Sequence, residues 1–138
     1  MGSEVSVVLI SKNQEWNIER LIKSVLEETA YLPLGRIILV DSASTDRTTE
    51  VAAQFPITII KLNPEQRLTA AAGRYVGYQH TTGDFILFLD GDMELYPGWL
   101  DLALEVMKQR TDAGVLCGVV MDRPIDLLTT GKQRGEVY

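Results

Sequence analysis

Asp90 and Asp92 flank Gly91 at the end of an apolar run, Phe85-Ile86-Leu87-Phe88-Leu89. Two carboxylates this close repel each other unless a cation lies between or near them. Mg2+ and Mn2+ commonly take one or two carboxylates and complete their shells with water and substrate phosphates. If the chain stays extended, residues i and i+2 face one side, and Gly91 removes the side chain that would crowd a ligand or a tight bend. The same tripeptide also serves as a solvated strand end, because Asp and Gly are ordinary turn formers. The elements around it decide between the two.

The run before Asp90 is one of several. Val5–Ile10, Arg36–Val40 and Ile57–Lys61 are short, apolar and rich in β-branched residues, the pattern of strands buried on both faces of a parallel sheet. Phe85–Leu89 is predicted as the fourth strand and Val115–Val120 as a fifth, with the single Cys117 buried inside it. Between them lie helical signals. Ile18, Leu21, Ile22, Val25 and Leu26 form one apolar stripe. Thr45 or Asp46 is placed to cap a short helix running to about Gln54. Glu65–His80 is Ala-rich and closes at Gly83, a usual place for a left-handed cap. Pro97 suits the first turn of a helix carrying Leu100, Leu104 and Met107. Gly73 and Gly77 on the third helix permit close packing on the sheet.

Strands alternating with helices predict an α/β fold, three layers with a mostly parallel sheet. In such a sheet ligands bind beyond the carboxyl ends of the strands, near a switch in strand order. Those ends carry Ser11, Lys12 and Asn13 after the first strand, Asp41 and Ser42 after the second, Leu62 and Asn63 after the third, and Asp90 and Asp92 after the fourth. Carboxylates at two of these ends share one rim, which favours the metal reading of Asp90-Gly91-Asp92.

The 138 residues suffice for one domain burying about two-thirds of its unfolded surface. The chain is 46% hydrophobic and 23% charged, with a formal charge of -6 and a sequence pI near 4.7. None of its 13 Lys and Arg residues form a run. That excludes the clustered positive charge of a nucleic-acid binder, so a polyanionic ligand requires a local exception such as a divalent metal. No stretch reaches the roughly 18 consecutive apolar residues of a membrane span, and Met1–Leu9 is too short and too acidic for a secretory leader. A cytoplasmic location is the expectation, with membrane association open for a longer parent. One cysteine excludes an internal disulfide framework.

Three blocks in order, "SVVLISKNQEWNIERLIKSVLEE", "IILVDSASTDRTTEVA" and "AAGRYVGYQHTTGDFILFLDGDMELYPGWL", resemble the nucleotide-sugar half of family 2 glycosyltransferases. The resemblance covers about Val5–Val120. It implies the GT-A fold, the Rossmann-like fold of nucleotide-diphospho-sugar transferases, with a donor-binding domain over 4–121 and the start of an acceptor-side region or tail over 122–138. It further implies that the loop after the first strand (Ser11, Lys12, Asn13) and Asp41 hold the base of a UDP- or GDP-sugar. Asp90 would approach the ribose or a metal-bound water, and Asp92 would ligate Mn2+ or Mg2+, making Asp90 and Asp92 the metal pair. Transfer in this family inverts the anomeric centre, and a later Asp deprotonates the acceptor hydroxyl. That base and the acceptor motifs lie many tens of residues beyond the acids, whereas 46 residues follow Asp92 here, with neither Asp126 nor Glu136 in a matching context. The expectation is therefore a donor-binding domain without its acceptor half, weakly active or inactive alone, its acceptor (saccharide, lipid or protein) unassigned.

Other residues are weighed on position. Arg67 and Arg74, seven apart on one predicted helix, share a face that could reach a diphosphate, and Arg74 stands where the family's recurrent Arg does. Asn63 and Gly91 complete the expected donor-binding set. Lys12 replaces an aromatic of some relatives and is placed either to meet a phosphate or to face solvent. His80 near a helix C-terminus complements the dipole. Trp16 and Trp99 read as core or hinge aromatics, with Trp99 also placed to wall a sugar site. The competing functions are a nucleotide-sugar-binding module without catalysis and a metal-dependent nucleotidyltransferase. The second would carry a Gly-rich basic loop after its first strand, which "SKNQEWN" is not. No G-x-G-x-x-G follows any strand, which sets aside a dinucleotide dehydrogenase. A phosphoacceptor receiver would need an acidic pair where Ser11-Lys12 stands.

Overall fold

The computed structural model describes residues 2–121. Four parallel strands, β1 (Val5–Ser11), β2 (Leu34–Asp41), β3 (Thr58–Lys61) and β4 (Phe85–Asp90), alternate with α1 (Ile18–Thr29), α2 (Thr48–Ala52), α3 (Ala70–Tyr78) and α4 (Trp99–Gln109). Spatial order is β3-β2-β1-β4. The chain therefore steps outward from β1 through β2 to β3, then crosses back to the other side of β1. The switch point lies between β1 and β4, and both strands end there: Ile10 pairs with Asp90, while Ser11 pairs with Asp41 of β2.

The two faces of β1 are covered by different helices. Val7 and Leu9 join Ile37, Leu39 and Leu89 in a core with Ile18, Leu21, Ile22 and Val25 of α1 and Leu100 and Leu104 of α4. The predicted stripe of α1 is thus the buried one. On the other face α3 lies directly on the sheet. A Cβ at Gly77 would stand 2.3 Å from Val8 Cγ1, and one at Gly73 would stand 3.2 Å from Ile10 Cγ2. These two glycines set the distance of α3 from the strands, as the sequence suggests. A register shift between Val5 and Val7 inserts one residue in β2, and the buried Ser6 hydroxyl accepts the Arg36 N–H there at 3.2 Å.

Several elements differ from expectation. α3 begins at Ala70, not Glu65, because Thr69 is extended and its hydroxyl accepts the Ala72 N–H as an N-cap. Gly83 has the left-handed φ of 91°, but it lies beyond the end of α3, packed against Glu4, so it does not cap that helix. Pro97 stands outside α4 in a turn closed by Trp99 N–H donating to Tyr96 O at 3.1 Å. Gly98, with φ 79° and ψ -5°, takes the third position of a type II turn. Val115–Val120 is not a strand, and Cys117 is exposed. Strand propensity reflects packing on a half-buried surface more than an intrinsic backbone preference. This segment has no ladder partner among the described residues, since β4 pairs only with β1 there. The region 122–138 lies outside the described residues, as do Asp126 and Glu136.

Candidate functional site

The end of β1 and the loop after β2 are tied together by one buried carboxylate. Asp41 is 2% exposed. It accepts the Ser11 hydroxyl at 2.9 Å, the Ser44 hydroxyl at 2.5 Å and the Ser44 N–H at 2.8 Å. Buried carboxylates are tolerated when hydrogen bonds replace the lost water, and the turn back to Ser44 supplies two of these. Ala43, inside that turn, has a φ of 55°, a left-handed conformation costly for a residue with a Cβ and sustained by its surroundings. Asn13 is also left-handed, at 53°. Its side-chain oxygen accepts the Thr45 N–H at 2.7 Å, and its own N–H donates to Ser44 Oγ at 2.8 Å. Gln14 N–H donates to Thr48 Oγ1 at 2.9 Å.

Asp46 extends this lattice by accepting the Glu15 N–H, the Thr48 N–H and, in a very short contact, the Thr48 hydroxyl. Burial works against its ionisation. The Thr48 hydroxyl, the Thr48 N–H and the Glu15 N–H outweigh that and hold the carboxyl below its ordinary 3.8.

At the end of β4 the chain turns instead of continuing extended. Met93 N–H donates to Asp90 O at 3.0 Å, so Gly91 and Asp92 are the central residues of a four-residue turn and the alternation expected of a strand stops at Asp90. Asp90 accepts Arg74 Nη2 of α3 at 2.6 Å, each side chain being partly exposed, while Asp92 is exposed. The fit around Gly91 is made by the chain itself: a Cβ there would meet Gln14 Cγ at 2.7 Å and Ile10 O at 3.1 Å. The bend therefore requires glycine for close approach to the loop after β1. Asn17, 4% exposed, closes the arrangement by donating from Nδ2 to Gly91 O at 3.0 Å and Met93 O at 2.7 Å.

An open depression of about 270 Å3 lies at this switch point, lined by Ser11, Lys12, Gln14, Thr69, Asp90 and Asp92 among others. The N-terminus of α3, with no acid in its first turn, opens on it through Thr69 and Ala70. The donors available to a cation are the carboxylates of Asp90 and Asp92. Beside them, Gln14 Oε1 is buried and takes no hydrogen bond among the described residues. No group of three or more His, Cys, Asp or Glu gathers among the described residues. Two carboxylates on one depression suit Mg2+ or Mn2+ that completes its shell from a phosphate ligand and water, and do not suit a cage enclosed by protein alone. A larger concavity, about 420 Å3, runs along α1 between Glu15, Trp16, Glu19 and Glu27. Its charges are in part spent on one another, as in the Lys23–Glu19 pair at 2.6 Å, so size alone does not choose the site.

Of the residues singled out from sequence, Ser11, Lys12, Asp90, Gly91 and Asp92 line the depression. Asn13 and Asp41 brace its rim from behind, and Arg74 reaches it through Asp90. Asn63 and Arg67 are not brought there. Asn63 is exposed and turns the chain by accepting the Glu65 N–H at 2.9 Å. Arg67 lies on the exposed loop before α3, so the expected shared helical face with Arg74 does not exist. His80 Nδ1 contacts Val76 O at 2.9 Å within its own helical turn. Trp16 is 58% exposed and not a core residue. Trp99 packs on the core and lies under Gly118. The sequence reading did not single out Gln14, Asn17, Ser44 or Thr69. For Asn17 a signal existed: a polar residue directly before the apolar stripe of α1. It suggests a helix cap, yet the side chain makes no capping bond.

The family described as Glycosyl transferase family 2 matches residues 6–135. Mouse (Mus musculus) polypeptide N-acetylgalactosaminyltransferase 4 is 33% identical over 123 residues, covering 83% of this chain and 21% of the relative. Among solved structures, glucosyl-3-phosphoglycerate synthase of Mycobacterium tuberculosis, in complex with Mn2+, uridine diphosphate and glucosyl-3-phosphoglycerate, superposes with a TM-score of 0.61 at 27% identity, over 72% of this chain and 38% of that one. A mannosyltransferase of Pyrobaculum calidifontis, in complex with GDP-Man and Mn2+, gives a TM-score of 0.61 at 26% identity, over 77% and 32%. The chain spans between 21% and 35% of the length of the first curated relatives it matches. Among the described residues no helix is long and apolar enough to cross a membrane.

Proposed function

Because the chain belongs to glycosyl transferase family 2, a family of the GT-A fold, we propose that the depression between β1 and β4 binds a uridine- or guanosine-diphosphate sugar. The metal would be Mn2+ or Mg2+, held by Asp92 with Asp90 beside it. The bound sugar would pass with inversion to an acceptor hydroxyl, the nucleoside diphosphate leaving and the hydroxyl proton going to a base that is not assigned to any described residue. The observation that carries this reading is the placement of Asp90 and Asp92 at the switch point, on the same depression as Lys12 and the N-terminus of α3. Ligands in open α/β sheets bind at that point, and a helix N-terminus favours phosphate oxygens. When bound, the metal supplies Lewis acidity that stabilises the departing diphosphate.

The chain's own residues divide the remaining work. Lys12 adds a positive charge at the diphosphate. Arg74 offsets the charge of Asp90, so the two acids present less mutual repulsion before any ligand arrives. Asp90, paired with Arg74 on Oδ1, keeps its other oxygen for a ribose hydroxyl or a metal-bound water. Asp41 and Asn13 fix the loop that faces the base. Asp41 is 2% exposed, and Oδ2, which takes only the Ser44 N–H, is the oxygen with capacity to accept a base N–H once that loop gives access to it. Two relatives support both base classes, one bound to uridine diphosphate and one to GDP-Man, each with Mn2+.

Calorimetric titration with UDP and with GDP, with and without Mn2+, tests the reading. The expected result is at least tenfold tighter binding of one nucleotide when Mn2+ is present, and loss of that gain in Asp92→Ala. Equal affinity with and without metal, or a gain that persists in Asp92→Ala, refutes the site assignment.

A further inference from the structure

We propose that Asn17 is a positioning residue that sets the orientation of Asp92 toward the metal, an inference that rests on the metal reading above. The two carbonyls it holds, Gly91 O and Met93 O, lie on either side of Asp92 in sequence. Both amide protons of Asn17 go to these carbonyls. The assignment of its nitrogen is fixed by chemistry, because the reverse orientation would place an amide oxygen against two carbonyl oxygens. Asn17 occupies the N-cap position of α1 but makes no side-chain capping bond, although Asn is among the best capping residues. Its side chain is committed across a sequence separation of 74 residues to Gly91, in a buried setting where donors and acceptors must be paired.

The remainder of the turn is held less directly at Asp92. Met93 N–H closes the turn on Asp90 O, and Leu95 N–H donates to the buried Ser24 Oγ at 3.0 Å. Asp92 itself is exposed, so the peptide carbonyls that Asn17 pins on either side of it fix where its Cα–Cβ bond points, and thereby the positions its carboxylate can reach. Partners that orient a metal-binding side chain typically account for about 10- to 100-fold in metal affinity.

The test compares the 138-residue chain with Asn17→Asp, Asn17→Ala and Ser24→Ala, reading UDP and GDP affinity with and without Mn2+ beside the melting temperature. Expected for both Asn17 variants is a roughly 10- to 100-fold loss of the Mn2+-dependent gain, with metal-free nucleotide affinity unchanged. Ser24→Ala removes a buried hydrogen bond of the same segment and is expected to lower the melting temperature while keeping the gain. A second measurement needs no substitution: the Asn17 side-chain amide resonances shift when Mg2+ is added to the nucleotide-bound chain. If the unsubstituted chain shows no metal gain, the metal reading falls and this proposal with it. If it shows the gain and either folded Asn17 variant keeps it, or the Asn17 amide does not respond to Mg2+, the positioning role alone is overturned.

Discussion

Replacing Gly91 by alanine probes the joint between the loop after β1 and the turn that carries the acids. The new Cβ would lie 2.7 Å from Gln14 Cγ, 3.2 Å from Gln14 Cβ and 3.1 Å from Ile10 O. Carbon atoms are at their optimum separation near 3.5–4.0 Å, so the contacts with Gln14 require a displacement of about 1 Å. Ile10 pairs with Asp90 at the end of the β1–β4 ladder, which leaves its carbonyl little room to move. The yielding partner is the Gln14 side chain, whose Oε1 has no hydrogen bond to lose among the described residues. Overpacking of this kind costs about 1–3 kcal/mol, and each kcal/mol lowers the melting temperature of a domain this size by about 4 °C. The assay is urea unfolding of the parent, Gly91→Ala, Gln14→Ala and the double variant. Truncating Gln14 removes the obstructing atom, so the double variant is expected to be more stable than Gly91→Ala alone by about 1 kcal/mol or more. A Gly91→Ala cost below about 0.5 kcal/mol, or additivity of the two changes to within the usual 0.3–0.5 kcal/mol, refutes the argument from close approach.

Gly77→Ala is expected to destabilise the chain by at least about 1–3 kcal/mol, and more than Gly73→Ala. Its Cβ would sit 2.3 Å from a Val8 methyl deep in the sheet, against 3.2 Å from an Ile10 methyl; denaturant midpoints of the two variants check the order. Asp46 contributes stability that is fully present above its ordinary value of 3.8 and lost as pH falls through its lower folded value. Melting temperatures of the parent and Asp46→Asn between pH 6 and 2.5 are therefore expected to converge at the acid end, and a constant difference would contradict the assignment.

Val5–Ile10 announces its strand because burial on both faces leaves no polar positions to confuse the period, whereas Phe85–Leu89 reads the same way from its apolar run although in the structure it is only partly covered and Phe88 is 40% exposed. Asp41 and Asp92 stand at strand ends, where the fold class itself places a ligand, so their neighbourhood followed from local patterns. The start of α3 did not follow. Glu65, Gln66 and Arg67 have good helix propensity, yet Thr69 spends its hydroxyl on Ala72 N–H and begins the helix later. Arg67 thus stands on the loop before α3 and not on the helix face it was expected to share with Arg74. Val115–Val120 misled for the complementary reason: its composition suits a strand, but a strand exists only with a neighbour to complete its ladder. Asn17 and Gln14 act through contacts with Gly91, which no window of local sequence contains.

The lattice joining the loops after β1 and β2 bears on the entropy of binding. Ser11, Asn13, Gln14 and Glu15 are already bonded to Asp41, Ser44, Thr48 and Asp46, so a nucleotide bound as proposed would meet a surface on that side whose conformational freedom is largely spent on folding. Across the depression stand Leu68 and Thr69, preceded by a local turn in which Gln66 N–H donates to Asn63 O at 3.1 Å. Pre-ordered contacts cost a ligand little, whereas side chains and loops that must be immobilised subtract from affinity. On the proposed reading, the wall built from the loops after β1 and β2 is therefore a fixed template, whose ordering cost is met on folding and not on binding.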